Sequence, residues 1–233
     1  MKPLAQCRLY TFVDVSCLHG RSVADVARNL CAGGADLIQL RAKGCSPKQI
    51  YEWAVQMRPI LAQADVGLVL NDHWEIARQT GADFCHLGQE DFFGAGFAHV
   101  SELPPSQGPG AAEPFLGLST HSPAQAARAL SAGPAYIAVG PVFPTPTKPH
   151  AVPVTLTCVR WAAAHISIPW FAIGGITLDT LDSVLQAGAQ RICVLSAILS
   201  APDMAARCQE FKARISAAAK ARNRGKIKIT HYD

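Results

Sequence analysis

Three stretches of the sequence end in polar side chains of the kinds that grip phosphate and metal. In "IQLRAKG", Gln39, Arg41 and Lys43 alternate at a period of two, which on a strand points all three the same way. An amide and two cations so arranged suit a pyrophosphate: Arg grips it in bidentate fashion and Lys acts as a point charge. A salt-bridged strand end is the plainer alternative. "LVLND" closes on Asn71 and Asp72, and "CHLGQED" supplies Gln89, Glu90 and Asp91. Two carboxylates without a His/Cys cluster suit a hard cation such as Mg²⁺, which takes one or two protein carboxylates and fills its shell with water and phosphate oxygens. Capping of the following helices is the competing role for Asp72 and Asp91. His86 reads as a packing histidine.

A fourth stretch, "GPVFPTPTKPH", holds Pro141, Pro144, Pro146 and Pro149. So many prolines exclude both a helix and a paired strand. They leave a stiff loop that holds Thr145, Thr147 and Lys148 in place for something anionic. In "GLSTHSPAQ", Ser122 and Pro123 read as a helix N-cap and first residue, with Ser119 and His121 just ahead. "AIGGIT" and "CVLSAIL" place backbone amides beside Gly174–Gly175 and Leu195–Ser196, where they would form a phosphate cup; Gly-Gly is otherwise simply a turn.

The elements that must position these residues are legible from the glycines. "CAGGADLIQL", "QTGADFCHLG", "SAGPAYIAVG" and "QAGAQRICVL" each read as a helix end, a glycine stop and a short apolar strand. Gly34, Gly81, Gly133 and Gly188 recur at intervals of 47, 52 and 55 residues, room for two βα units each. Further strands fall at 8–13, 66–70, 114–119 and 169–175. Helical patterns cover 22–32, 47–63, 73–80, 122–132, 155–165, 178–187 and 202–220. Residues 92–113, rich in Gly, Pro and Ser, read as a weak fourth helix and an extended surface loop. Eight near-continuous apolar strands alternating with helices, without an interdomain linker, predict a single-domain α/β (β/α)8 TIM barrel over residues 1–233. An open doubly wound sheet fits less well, because "VDVSCLHGRS" after the first strand has no GxGxxG.

Composition narrows the classes further. The chain of 233 residues is 49% apolar and 16% charged, which suits a buried core and argues against disorder. No apolar run approaches a membrane span, and "MKPLAQCRLYTF" lacks a signal peptide's h-region. Eight cysteines without CxxC pairing read as reduced thiols of a cytoplasmic protein. The net charge of +4 comes from the tail: residues 211–233 hold seven Lys/Arg and one acid. Nucleic-acid binding wants basic residues over a folded face instead, so small-molecule phosphorylated ligands are the expected partners. The sequence is compatible with a homo-oligomer and does not specify one.

In such a barrel, chemistry collects where the C-terminal strand ends meet the βα loops. There the sequence gathers two anion sites: Arg41, Lys43 and Lys148 beside Mg²⁺, and the cup after strands 7 and 8. Two phosphorylated ligands meeting there, one a diphosphate, point to a transfer with pyrophosphate departing.

The motifs "QLRAK", "LNDHWEIARQTGADFCHLGQED", "GLSTHS", "GPVFPTPTK", "AIGGI" and "VLSAI" resemble, in one order from about residue 8 to 200, the signature set of the thiamine phosphate synthase family. That resemblance implies a (β/α)8 barrel that joins a hydroxymethylpyrimidine diphosphate to a thiazole phosphate, with Mg²⁺. It implies that Gln39, Leu40, Arg41, Ala42, Lys43, Asn71, Ser119 and Lys148 hold the pyrimidine diphosphate. Arg41, Lys43, Ser119 and Lys148 would also stabilise the departing charge, and Asp72 and Asp91 would bind the metal. Thr145, Pro146, Thr147, Gly175, Leu195 and Ser196 would hold the thiazole phosphate. Leu195 stands where the family has Ile, the 92–113 loop is longer than in compact members, and the basic tail at 221–233 is extra. Two rivals remain at this stage. One is a thiazole tautomerase of the same superfamily with His121 as general acid/base, for which the diphosphate residues have no use. The other is a non-catalytic sensor, for which no effector domain is visible.

Overall fold

The computed structural model describes residues 1–105 and 113–229, the last seven as backbone only. The middle of the expected 92–113 loop and the end of the basic tail lie outside the described residues. Eight parallel strands close a barrel in sequence order. They are β1 (Leu9–Asp14), β2 (Leu37–Arg41), β3 (Gly67–Asn71), β4 (Phe84–Leu87), β5 (Phe115–Thr120), β6 (Tyr136–Val139), β7 (Trp170–Ile173) and β8 (Ile192–Cys193). Around them run α1 (Val23–Ala32), α2 (Pro47–Gln63), α3 (Trp74–Thr80), α4 (Gln89–Gly94), α5 (Pro123–Ser131), α6 (Thr155–His165), α7 (Leu178–Gln186), α8 (Ser196–Leu199) and α9 (Met204–Ile229).

Local chemistry explains where the helices start. Ser22, Ser46 and Ser122 each accept a hydrogen bond from the backbone N–H three residues on, opening α1, α2 and α5. Pro47 and Pro123 follow two of these caps, where the missing N–H costs nothing. The helices bury one stripe each; α1 turns Val23, Val26, Ala27 and Leu30 inward. α4 begins at Gln89 behind Gly88, ahead of the expected residue 92, and anchors itself with the fully buried Phe92. α8 is a short helix beyond the expected set, at the end of β8. Among the described residues, no helix is long and apolar enough to cross a membrane.

The barrel interior is filled by aromatic rings that reach across it. Tyr10 of β1 meets Phe171 of β7 with centroids 5.3 Å apart, and Phe84 of β4 meets Tyr136 of β6 at 5.8 Å, both edge to face. Tyr136 fits because β5 carries Gly117: a Cβ there would stand 2.1 Å from the Tyr136 Cζ. At the N-terminal end of the barrel, fully buried Asp36 accepts hydrogen bonds from the backbone N–H of Arg8 and Leu9 and pairs with Lys2 and Lys212. This network ties β1, the segment before β2, and α9 together.

Candidate active site

A cavity of about 130 Å³ opens at the C-terminal ends of the strands. Its polar lining comes from two groups. On one side stand Gln39 and Arg41 from β2, Asn71 from β3, Ser119 from β5 and Lys148 from the proline-braced loop. On the other stand Thr145 and Thr147, the turn Gly174–Gly175, and Leu195–Ser196 at the start of α8. The floor is Tyr10, Phe12, Ala138 and Cys193.

Arg41 is held by the buried carboxylate of Asp14, its register partner on β1. Asp14 also accepts from the Ser16 N–H at 3.0 Å and the Ser16 hydroxyl at 2.7 Å. The salt-bridged strand end and a cavity-facing cation are therefore one and the same arrangement. Lys43 departs from the expected alternation: β2 ends at Arg41, so the period of two does not extend to it. Lys43 does not line the cavity, and its ammonium lies 4.0 Å from Asp72. Leu40 and Ala42 are buried in the core, and Pro146 is exposed; none of the three lines the cavity.

Asp72 follows the end of β3 and Asp91 lies in the first turn of α4; neither lines the cavity. Neither caps a helix: the residues flanking α3 and α4 are His73 and Gly88, and neither start has a side-chain cap. Asp72 has a left-handed backbone, φ 65°, and accepts from the Asn71 amide at 2.5 Å. Burial raises the Asp72 carboxyl above its usual range; Lys43 opposes this, and the charge of Asp91 adds to it. Two carboxylates near enough to repel one another are a donor set that a divalent cation would relieve. They fit Mg²⁺ in chemistry and in number. Among the described residues there is no cluster of three or more His, Cys, Asp or Glu of the kind a zinc site uses.

The diglycine turn and the proline loop are built against each other. Val142 and Phe143 donate their N–H groups to Ile173 O at 2.8 Å and Gly174 O at 3.1 Å, and Val154 donates to Pro141 O at 2.7 Å. Gly174 and Gly175 have φ of 99° and 63°, and a Cβ on them would stand 2.3 Å from Pro141 and 2.5 Å from Pro144 O. Glycine is required at both positions, for backbone and for space. The loop that carries Thr145, Thr147 and Lys148 is therefore fastened directly to the diglycine turn.

Lys148 has no ion pair among the described residues. Burial lowers its ammonium below the usual lysine value, and the neighbouring Lys43 and Arg41 lower it further. An ammonium among like charges and without an ion pair is one that an anion would relieve. His121 lines the cavity beside it, with Nδ1 bonded to the Gly140 carbonyl.

The sequence reading missed Tyr10, Phe12, Asp14 and Tyr136, and it took His86 for packing alone. His86 lines the cavity, and its Nε2 lies 2.9 Å from the Ser119 hydroxyl. Burial, with Lys148 and His121 nearby, pushes its ring down to about 3, so it is neutral. The available signal was a period of two along "YTFVD", where Tyr10, Phe12 and Asp14 share one face.

Comparison with known proteins agrees with this architecture. Residues 9–198 match the family model described as thiamine monophosphate synthase. A thiamine-phosphate synthase of Lawsonia intracellularis is 38% identical over 208 residues, covering 89% of this chain and 92% of that one. One from Thermus thermophilus is 40% identical over 192 residues, covering 82% and 88%. The solved thiamine phosphate pyrophosphorylase of Pyrococcus furiosus superposes with a TM-score of 0.80 at 27% identity, covering 92% of this chain and 98% of that one. The barrel and its mouth, and the relatives that match along nearly their whole length, lead to one conclusion: the chain belongs to the thiamine monophosphate synthase family and is a transferase.

Proposed function

We propose that this enzyme joins 4-amino-2-methyl-5-(diphosphooxymethyl)pyrimidine to 4-methyl-5-(2-phosphooxyethyl)thiazole, giving thiamine phosphate and pyrophosphate, with Mg²⁺. The observation that carries the reading is that one cavity is lined both by Arg41 and Lys148 and by Thr145, Thr147, the Gly174–Gly175 turn and Ser196, groups that would suit two phosphates joined by a single stiff loop. Lys148 faces the diphosphate side, and Thr145 and Thr147 face the thiazole phosphate side with Gly175, Leu195 and Ser196. Gln39, Arg41, Asn71 and Ser119 complete the diphosphate side, with Lys43 reaching it from the rim.

The chemistry is a dissociative transfer. The bond between the pyrimidine methylene and the diphosphate oxygen breaks, and its electron pair leaves with pyrophosphate. The aminopyrimidine ring bears the benzylic-type cation that remains. The thiazole nitrogen then gives its lone pair to the methylene, forming the new C–N bond. Arg41, Lys43 and Lys148 stabilise the departing charge, Ser119 donates a hydrogen bond to it, and the fixed loop holds the two rings in line. Mg²⁺, held by Asp72 and Asp91, would supply further neutralisation of the diphosphate. Retention of this diphosphate side disfavours a thiazole tautomerase, which needs only the thiazole half and His121.

Pyrophosphate release with both substrates, with and without Mg²⁺, tests the proposal in wild type and Asp91→Ala. Release is expected to need both substrates and the metal, and to fail in the variant. Isomerisation of the thiazole substrate alone, without release, would move the assignment to the tautomerase.

A further inference from the structure

The floor of the cavity contains an unbroken line of polar side chains running across the barrel. Gln39 donates its Nε2–H to the Tyr10 hydroxyl at 2.5 Å. The Tyr10 and Tyr136 hydroxyls lie 3.1 Å apart, Tyr136 lies 3.1 Å from His86 Nδ1, and His86 Nε2 lies 2.9 Å from Ser119 Oγ. Five residues from β1, β2, β4, β5 and β6 are thus joined in series. Gln39, Tyr10, Tyr136 and His86 are all buried, and the line gives each hydroxyl and ring nitrogen a neighbouring partner.

We propose that this line is a one-way hydrogen-bond relay that holds His86 as its Nε2–H tautomer and leaves the Ser119 hydroxyl proton free for an anionic ligand. Tyr10, Tyr136 and His86 are then positioning residues. The direction follows from counting protons. Tyr10 accepts from Gln39, and its own proton has Tyr136 as the remaining partner among the described residues. Tyr136 then accepts from Tyr10, and its own proton has His86 Nδ1 as the remaining acceptor among the described residues. A nitrogen that accepts carries no proton, so the ring proton is on Nε2 and is donated to Ser119 Oγ. The Ser119 proton is left for the cavity that it lines. An imidazolium would need to donate to Tyr136 as well, which would leave the Tyr10 proton buried without an acceptor.

The packing holds the line rigidly. Tyr136 sits in the space that Gly117 leaves open, and its ring stacks on His86 with centroids 5.6 Å apart and planes 25° apart. Tyr10 is stacked on Phe12 at 5.5 Å. The Ser119 hydroxyl is therefore oriented by residues that do not themselves need to touch the diphosphate. Its use in the transfer rests on the reaction proposed above; the proton order does not.

¹⁵N-histidine NMR of the ligand-free enzyme tests the order directly. The His86 ring is assigned by its loss in His86→Gln or, if that chain does not fold, through its backbone connection. Protonated Nε2 with bare Nδ1 is the expected result. Protonated Nδ1 would overturn the proposal, because it means that the Gln39 amide is turned and the Ser119 proton is spent on His86. The positioning role is read in Tyr136→Phe and Tyr10→Phe, which keep the rings and remove the hydroxyls. Each is expected to lower kcat/KM for the pyrimidine diphosphate about tenfold, to leave KM for the thiazole phosphate unchanged, and to mix the His86 tautomers. Full activity with an unchanged His86 spectrum in both variants would overturn that role. Should the wild type release no pyrophosphate, the reaction is wrong, and the NMR result still decides the relay.

Discussion

Arg41 reaches the cavity bonded to the carboxylate of Asp14, its neighbour across the first two strands of the barrel. The guanidinium is thus aimed before any ligand arrives, and Asp14 is fixed in turn by Ser16. Asp14→Asn keeps the size of the side chain and removes the charge. It is expected to lower kcat/KM for the pyrimidine diphosphate on the order of 10- to 100-fold, the usual consequence of leaving one partner of a largely buried pair alone. KM for the thiazole phosphate should not change. Steady-state kinetics with each substrate varied in turn checks both.

Lys148 should set the alkaline limb of the pH profile. Its ammonium is lowered from 10.5, first by burial and then by Lys43 and Arg41. A lowered lysine loses its proton at a lower pH than usual, so kcat/KM for the diphosphate substrate should fall as pH rises, with the limb below 10.5. Lys43→Gln removes one repelling charge and should move that limb upward. Lys148→Ala should abolish the limb and lower kcat about 100-fold.

The diglycine turn should tolerate no side chain. Gly174→Ala places a Cβ 2.3 Å from Pro141 on a backbone with φ 99°. Displacing the proline loop is expected to cost about 1–3 kcal/mol in denaturant unfolding. KM for the thiazole phosphate should rise more than KM for the pyrimidine diphosphate, since the proposed thiazole phosphate position lies at this turn.

Asp36 should govern acid stability. Burial alone would raise its carboxyl, but Lys2, Lys212 and the N–H groups of Leu9 and Arg8 outweigh this and hold it below 3.8. A depressed carboxylate stabilises the fold above its unfolded value and loses that contribution as pH falls through the folded one. The wild type should therefore weaken below about pH 4, whereas Asp36→Asn should lack that step and lose about 3 kcal/mol at pH 7. Urea titrations across pH measure both.

Much of the frame was legible in the sequence because its punctuation is local. Ser46 and Pro47 open α2, and α2 and α6 fall at the expected 47–63 and 155–165. The glycine stops placed four strands and apolar runs the other four, and the strand ends and the proline loop placed Gln39, Arg41, Asn71, Ser119 and Lys148 around one cavity. The floor was not legible. Tyr10, His86 and Tyr136 lie in apolar runs from strands that are not all neighbours, and their hydroxyls and ring nitrogens meet only once the sheet curls shut. Asp14 was passed over because it ends a strand whose other residues look like core. Lys43 was placed too firmly, since the alternation was carried past the point where β2 stops.

The barrel closes through Leu9↔Ile192 and Tyr10↔Cys193, a short ladder beside the one that joins β1 to β2 from Tyr10↔Leu37 to Asp14↔Arg41. That seam ends directly beneath Val194, Leu195 and Ser196, which line the cavity. A ligand gripped there fastens the last staves of the barrel to the rest and works as a latch. Its binding free energy is added to every opening that must pass through β8, so amide exchange along β1 and β8 should slow on binding the thiazole phosphate. How long the cylinder stays shut becomes a record of whether its mouth is full.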